Sequence, residues 1–543
     1  MNESIDWTEK LIEAIRLAPA RTGKLPLVSI ITPTWNTRYE WLADAAISML
    51  RQTCADWEWC IVDDASTERS FHSIFTLLAT LPNVRILKLA TSHGISGATN
   101  QGLALATGRW VGFLDHDDSL TPDALAEMTS ALDSGYDAVY SDQDKISEQG
   151  EIFQPFHKPE WSPEFFRGVM YVGHLLCVRR DLALEIGGFR KEFDGVQDFE
   201  FMLRLSEKTK KIGHVSKILY HWRISPGSIA GNGNAKSNIE PLQCAAVQGH
   251  LDRLGLDASA VSSGIHGHRV RIVPRPIPHT SRVTVIIPTK DSPDILDVCL
   301  SSLFGKTSYR NLEVVCVDNN TTDPRALRIM QSYPVTRICW TQKFNFSAVN
   351  NFAVSRTEGD LLVFMNNDVE VRSADWIEHM RYYAEQPDVG AVGAMLLYPD
   401  QSTQHVGVVL GCRGTADHVL RGAPYDSDGY AGSISCAREV SAVTAACLMV
   451  KRSTFLDAGG FNEHYFTAYQ DVDLCLKLRT LGKRNIYTPG AILYHHESAT
   501  RGGYYDLVDR NLLLDLWEPT IERGDPYYNR NFNVQACDYS LRP

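Results

Sequence analysis

The chain begins the same pattern twice, and no other feature limits its fold as strongly. VSIITPTWN at Val28 returns as VTVIIPTKD at Val283, CIVDDAS returns as VCVDNNT with Asp63 matching Asp318, and ISGATNQGLAL returns as FSAVNNFAV with Asn100 matching Asn351. Further on, LDHD returns as MNND, LEIGGFRKEF as LDAGGFNEHY, VQDFEFMLRL as YQDVDLCLKLR, and LYHWRIS as LYHHES. Seven matches in unchanged order predict two copies of one domain. A chain of 543 residues gives each copy room for one large core, since domains average roughly 150 residues. The expected organisation is a helical arm over 1–24, a first domain over 25–235, a helical linker with a short strand over 236–279, and a second domain with a C-terminal extension over 280–543.

Within the first copy, Leu25 to Asn36 is a β-branched run ended by Pro33, which predicts a buried parallel strand with a loop at its carboxyl end. A helix is expected over Tyr39 to Gln52, then a strand over Trp57 to Thr67 that stops on Asp63 and Asp64. Strand, helix, strand is the βαβ unit of a parallel sheet. Val84 to Ala90 predicts a third strand, Gly108 to Asp118 a fourth that runs into Asp115, His116 and Asp117, and Tyr136 to Ile146 another with a polar end. The fold class is α/β, each copy a mostly parallel sheet flanked by helices. Ahead of it, Ile5, Leu11, Ile12, Ile15 and Leu17 fall at helical spacing with a polar face that is not basic, so this helix reads as a packing arm and not a membrane anchor. Between the copies, the Ser-, Gly- and Asn-rich residues 225–238 read as a mobile loop, 241–256 as a linking helix and 269–278 as a short strand broken by prolines.

Ligands of an open α/β sheet meet the carboxyl ends of its strands, so carboxylates placed there face a substrate or a metal. Every such residue also has a plainer reading. Ser119, ahead of TPDALAEM, can cap a helix. Asp198 and Asp471 open helices, where a lone acid ordinarily serves the helix dipole. A lone His221 is more often packed than ligating. The glycines at 94, 97 and 102 loosen a helix start that can receive a phosphate or simply be capped, and they match neither a dinucleotide fingerprint nor a Walker loop. His495-His496-Glu497 is no metalloprotease helix, because Thr500 stands where the second histidine is needed. Recurrence favours chemistry: each copy carries an acidic strand end (Asp63, Asp318), an acidic turn (Asp115 and Asp117, then Asp368), a helix-start aspartate (Asp198, Asp471) and a late histidine (His221, then His495 or His496). Oxygen ligands with open positions suit Mg²⁺ or Mn²⁺ holding diphosphate oxygens, and one separate carboxylate suffices to take a proton from an attacking hydroxyl.

Composition removes other classes. A net charge of -12 argues against nucleic-acid binding. Twelve cysteines occur singly, without a C-x-x-C pair, and read as small buried residues of a reducing compartment. The N-terminal stretch is acidic where a signal peptide starts basic, and no window reaches a membrane span of roughly 20 apolar residues. A cytoplasmic protein is expected.

With both copies laid out, the sequence resembles inverting glycosyltransferase family 2, of GT-A fold, over nearly its whole length and twice. VSIITPTWN, VDDAS, SGATNQG, LDHDD and GGF with VQDFE carry the resemblance in the first copy, and VTVIIPTKD, VDNNT, FNFSAVNN, MNNDVE, SAVTAACLMV, GGF with YQDVDLCLKLR, and YHHESATRG in the second. The second copy looks most like bacterial transferases of O-antigen, capsule and rhamnose-containing polysaccharides. The resemblance implies that Pro33, Thr34 and Asp63, and Pro288, Thr289 and Asp318, border a nucleoside pocket, with Asn100 and Asn351 near the donor diphosphate. Asp115 and Asp117 would be the Asp-x-Asp metal motif, Asp115 also meeting the nucleotide sugar, with His221 a further metal contact. In the second copy Asn366-Asn367-Asp368 departs from that motif. Asn367 would border the donor, Asp368 and His496 would hold the Mn²⁺ or Mg²⁺, and metal dependence there would be weaker. Asp198 and Asp471 would be the two bases. The implied reaction is inverting displacement on UDP- or dTDP-sugars, two sites adding successive sugars to an oligosaccharide of a bacterial surface polysaccharide. A lipid-linked acceptor would make the protein peripheral to the inner face of the membrane. One alternative makes one copy a non-catalytic sugar-binding or scaffolding domain. Another, a sugar nucleotidyltransferase, needs a glycine-rich basic loop where TPTWN and PTKD stand.

Overall fold

The computed structural model describes residues 6–19, 25–224, 239–276, 278, 280–497 and 506–543. The loop expected at 225–238 lies outside them. Two compact units result, Met1–Trp161 with Met170–Gly255, and Ser162–Val169 with Leu256–Pro543.

In the first unit the strands are β1 (Val28–Thr34), β2 (Trp57–Asp63), β3 (Val84–Lys88), β4 (Trp110–Phe113), β5 (Ser119–Leu120), β6 (Ala138–Ile146), β7 (Ile152–Phe156), β8 (Leu176–Arg179) and β9 (Ile212–Arg223). They form one sheet in the order β3-β2-β1-β4-β8-β6-β9-β5, with β7 on the edge of β6. The first four strands are parallel. Beyond β4 the pairing turns antiparallel at β8, and only β6 and β9 run parallel again. The sheet is thus a parallel half joined to a mixed half. Strands covered on both faces carry unbroken apolar runs whichever way they run, so direction is not written in the run. Val28, Ile30, Trp57, Trp59 and Ile61 are fully buried in this core, where the helix Tyr39–Leu50 adds Leu42, Ala43 and Ala46. The N-terminal helix Trp7–Leu17 starts on Asp6, which accepts from the backbone of Thr8 and Glu9, and buries Leu11 and Ala14 in the same core as the packing arm its spacing predicts.

The second unit opens with the hairpin β10 (Ala258–Ser262) and β11 (Val270–Pro274) and repeats the sheet with β12 (Val283–Thr289), β13 (Leu312–Asp318), β14 (Thr336–Cys339), β15 (Leu361–Met365) and β16 (Val369–Val371). The rest are β17 (Val389–Leu397), β18 (Thr403–His405), β19 (Val408–Leu410), β20 (Ala416–His418), β21 (Arg438–Val440), β22 (Cys447–Lys451) and β23 (Arg484–His495). The order β14-β13-β12-β15-β22-β17-β23-β16 is that of the first sheet. Its C-terminal helix, Asp506–Glu522, places the buried Asp509 carboxylate against the backbone N–H groups of Phe466, Thr467 and Ala468, which lead into the helix Gln470–Thr480.

The stretch expected as a linker, 236–279, divides between the units. The helix Ile239–Leu254 belongs to the first, where His250 and Arg253 both pair with Glu207 at 2.7 Å, and the β10–β11 hairpin belongs to the second. Conversely Ser162–Val169, from the middle of the first copy, lies in the second unit. Its short helix Pro163–Gly168 brings Glu164 to Arg167 at 2.6 Å and to Arg484 at 3.3 Å, and Arg484 also pairs with the buried Glu439 and with Asp388. Ser162 donates its hydroxyl to Glu439. Removing one partner from such a cluster strands a buried charge, at roughly 3–5 kcal/mol. Arg484→Met leaves Glu164 and Glu439 facing each other without that cation, so urea unfolding is expected to show a loss of stability of that order.

Candidate active site

In the first unit β1 and β2 end side by side, with Thr34 opposite Asp63. The Thr34 hydroxyl donates to Val62 O at 3.1 Å, and Pro33 precedes it on the strand. Asp63 accepts from Ser66 N at 3.1 Å and has His72 Nε2 at 3.6 Å. Its neighbour Asp64 turns to the glycine-loosened helix Gly94–Leu105 and accepts from Ser92 Oγ, His93 N and Gly94 N at 2.6 to 3.0 Å, while Asp194 accepts from Ser96 N. Carboxylates occupy that helix start, so of the two readings open for it the cap applies and the phosphate does not.

The acidic turn after β4 is no helix cap either. The helix Ala124–Asp133 begins after Asp123, and Ser119 lies in β5, paired with His221 on β9. Asp118 is fully buried and supports the turn, accepting from Tyr220 Oη at 2.5 Å and from Arg223 N at 2.7 Å. Asp115 and Asp117 remain directed to the site, with side chains 37% and 24% exposed. Loss of water and repulsion from Asp117 push the Asp115 carboxyl up to about 6. His221 donates from Nδ1 to Asp144 on β6 at 2.6 Å.

One residue here escaped the sequence reading. His174 places Nε2 3.8 Å from Asp115 Oδ2, stacks on Tyr220, and interacts with Asp198 and Asp117. Burial pushes its imidazole down to about 4, so it is neutral at neutral pH. Lys158 holds its loop by donating to the carbonyls of Val172 and His174, both at 2.6 Å. The buried Asp142 anchors Lys158 through its backbone N–H and also bonds His157 and His214. The mismatch of GHLL in the first copy with AACL in the second was the only signal for His174, since Ala446 stands in its place.

Asp198 lies in the first turn of the helix Gln197–Lys208 and accepts from Phe199 N at 2.8 Å. Burial raises its carboxyl above the ordinary range, and His174 opposes that rise. What aims this helix is Asn100. Its amide donates to Phe189 O and accepts from Phe189 N, both at 2.8 Å, which clamps the Gly-Gly-Phe turn ahead of the helix. Gly188 sits at φ +65° with Asn100 Oδ1 only 2.2 Å from where a Cβ would be. Asn351 repeats the clamp on Phe461 N and O at 3.0 and 2.9 Å, and Gly460 repeats the glycine at φ +67°. Both asparagines, expected beside the donor diphosphate, spend their amides on the chain itself.

In the second unit Thr289 and Asp318 end β12 and β13 side by side, with Pro288 before Thr289. Burial alone would raise the Asp318 carboxyl, but bonds from Thr321 and the Arg337 guanidinium hold it below the ordinary range. Asn367 donates to the Thr289 hydroxyl at 3.2 Å. Asp471, in the first turn of its helix, accepts from Ala445 N and Val472 N, both at 2.9 Å. The histidine differs from expectation. His495 Nε2 lies 3.1 Å from Asp368 Oδ1, whereas His496 bonds Glu370 Oε2 at 3.2 Å. The strand register pairs Val369 with His495 and sets His496 beside Asp368, where its backbone N–H donates to Asp368 O at 2.9 Å, so it is the side chains and not the register that bring the His495 ring to the Asp368 carboxylate.

Parallel strands ending on carboxylates, with a further aspartate brought in by a clamped helix, form the site of a group-transfer enzyme. The chain belongs to glycosyl transferase family 2, which matches residues 29–183 and 284–419. It is 36% identical over 540 residues to the O-antigen biosynthesis protein RfbC of Myxococcus xanthus, covering 98% of this chain and 42% of that protein. Over 224 residues it is 30% identical to the hyaluronan synthase of Pasteurella multocida, covering 41% of this chain and 22% of the synthase. The chain spans about half the length of the curated relatives it matches over its full extent, 42% and 58% of them. Among solved structures, S. aureus TarS 1-349 in complex with UDP-GlcNAc aligns at 19% identity with a TM-score of 0.35, covering 41% of this chain and 66% of that one. No helix among the described residues is long and apolar enough to cross a membrane.

Two outcomes follow from these contacts. Asn351→Ala leaves the Phe461 N–H and C=O without their partner, at about 1–3 kcal/mol for each buried group, so the melting temperature falls and limited proteolysis opens the Gly-Gly-Phe turn. Asp142 is held down to about 2, because bonds from His157 and His214 outweigh the effect of burial. A depressed carboxylate contributes stability above its unfolded value of 3.8 that is lost as pH falls toward 2. Asp142→Asn is therefore expected to flatten that acid limb of a stability-against-pH curve.

Proposed function

We propose that this chain is a bifunctional inverting glycosyltransferase that moves sugars from UDP- or dTDP-linked donors onto a growing bacterial surface polysaccharide of the O-antigen or capsule kind. The observation that carries this reading is the approach of the helix-borne Asp198 to Asp115 and His174 in the first unit, with Asp471 and Asp368 at the matching places of the second copy of the sequence. Domains over 25–235 and 280–543 would each hold one site.

Thr34 and Asp63, and Thr289 and Asp318, border the nucleoside pocket in this reading. Oxygen ligands with open positions suit a Mn²⁺ or Mg²⁺ that completes its shell from diphosphate oxygens and water. Asp115 with Asp117, and His221 beyond them, fit such an ion, since mutual repulsion of the two carboxylates is relieved by a cation. Asp368 with His495 forms the thinner set of the second unit. When bound, the ion offsets charge on the departing diphosphate. Asp198 takes the proton of the acceptor hydroxyl as that oxygen attacks the anomeric carbon from the face opposite the leaving group. Its raised pKa makes it a more effective base than an exposed aspartate. Neutral His174 orders that hydroxyl without competing for the proton. Asp471 performs the same step in the second unit with Ala446 in place of the histidine, so the two sites meet different acceptors. A lipid-linked acceptor would bring the protein to the membrane surface.

The second reading, one working site beside a sugar-binding domain, draws on the loss of charge at Asn366 and Asn367. Nucleotide release from a panel of UDP-, dTDP- and GDP-sugars, with Mn²⁺ or EDTA, separates the two. Asp198→Asn is expected to lower one release by ~10²–10⁴ and Asp471→Asn another, as loss of a positioned base does. A single release, insensitive to Asp471→Asn, leaves the second unit as a binding domain.

A further inference from the structure

His495 is held in a chain of contacts whose direction is fixed from the outside. Its Nδ1 lies 2.5 Å from Gln404 Oε1, and the Gln404 amide nitrogen donates to Glu497 Oε2 at 3.1 Å. An ionised carboxylate only accepts, so Gln404 must turn its NH₂ to Glu497 and its oxygen to the histidine. The imidazole nitrogen facing that oxygen must then carry the hydrogen. Nε2 is left with its lone pair, which Asn366 Nδ2 meets at 3.2 Å, a bond that gives way when an ion takes the lone pair. The same Nε2 lies 3.1 Å from Asp368 Oδ1, so two electron-pair donors stand side by side. Ion-to-ligand distances near 2.1 Å put adjacent octahedral ligands about 3 Å apart. In the first unit Asp144 does in one step what Gln404 and Glu497 do in two, accepting from His221 Nδ1.

We infer that Gln404, oriented by Glu497, is a positioning residue that sets the tautomer of His495 and so presents Nε2, beside Asp368, to the divalent cation of the second site. It rests on the metal-assisted reading above, and it makes the two sites unequal. Asp144 orients its histidine with a carboxylate, whereas Gln404 offers only an amide dipole, so the second site holds its histidine, and with it the ion, less firmly.

The test uses the full chain carrying Asp115→Asn to silence the first site, titrated with Mn²⁺ alone and with UDP, free Mn²⁺ being read by electron paramagnetic resonance. Gln404→Met keeps the size of the side chain and removes the acceptor. It is expected to weaken Mn²⁺ binding by ~10–100-fold, the usual cost of losing such an outer partner, with a somewhat lower melting temperature from the unpaired His495 N–H, an unchanged circular-dichroism spectrum and kcat recovered at saturating Mn²⁺. The exchange Gln404→Glu with Glu497→Gln restores an acceptor at Nδ1 and a donor behind it, and is expected to regain most of the affinity. Parent-like affinity in Gln404→Met overturns the inference, as does an exchange variant that binds no better than Gln404→Met, or an Asp115→Asn parent that binds no Mn²⁺. If Mn²⁺ binding follows Gln404 while no donor sugar is ever released, the transferase reading falls and the positioning role stands.

Discussion

An asparagine amide in each copy closes on the backbone of one phenylalanine, and the geometry of the site follows from that bond pair. Asn100 belongs to a helix of the parallel half and Phe189 to the turn before the helix of Asp198. The clamp therefore ties the half that presents the strand-end carboxylates to the half that brings the helix-borne aspartate. It requires a glycine at positive φ, because any Cβ on Gly188 would meet the amide oxygen. The Gly-Gly-Phe repeat is thus a packing device that serves the chemistry from outside it. In the second copy the buried Asp509 reinforces the same approach from the C-terminal helix.

Around this shared frame the copies differ in charge. The first gathers Asp115 and Asp117 with the buried Asp118 and tempers them with neutral His174. The second has Asn366 where the first has Asp115 and Asn367 where it has His116, and these amides bond His495 and Thr289 respectively. Amides pair with neighbours in both directions, so the second turn is knit into its surroundings where the first is left with mutually repelling carboxylates. The Asp318–Arg337 pair adds to the contrast, since Asp63 has only the distant His72 ring in that place.

Much of this was legible in the residues. Buried strands announce themselves through unbroken apolar runs, and their ends through the acidic residues that stop them, so β1 to β3 emerged within a few residues of their observed bounds, while the run Gly108 to Asp118 overshoots β4. The role of Asn100 was not legible, because an amide on a helix has the same appearance whether it meets a ligand or a distant main chain. His174 was invisible for a related reason: its importance comes from Asp115 and Asp198, which lie far away in sequence on either side. The transfer of Ser162–Val169 into the second unit left no trace either, since Glu164 and Arg167 read as ordinary helix charges until Glu439 and Arg484 stand beside them.

What the sequence determined by itself was local or repetitive: two copies, the order of strands and helices, and carboxylates at the strand ends. These follow from hydrophobic period and recurrence, which need no knowledge of who neighbours whom. The tertiary structure alone decided that the sheet turns antiparallel beyond β4, that the asparagines clamp a turn, and that the His495 ring reaches the Asp368 carboxylate while the His496 ring reaches Glu370. Adjacent residues of a strand point to opposite faces, so the two histidine rings part, and where each one ends depends on the register between β16 and β23, which pairs His495 with Val369. That register is set by pairing across more than a hundred residues of chain, where no local pattern reaches.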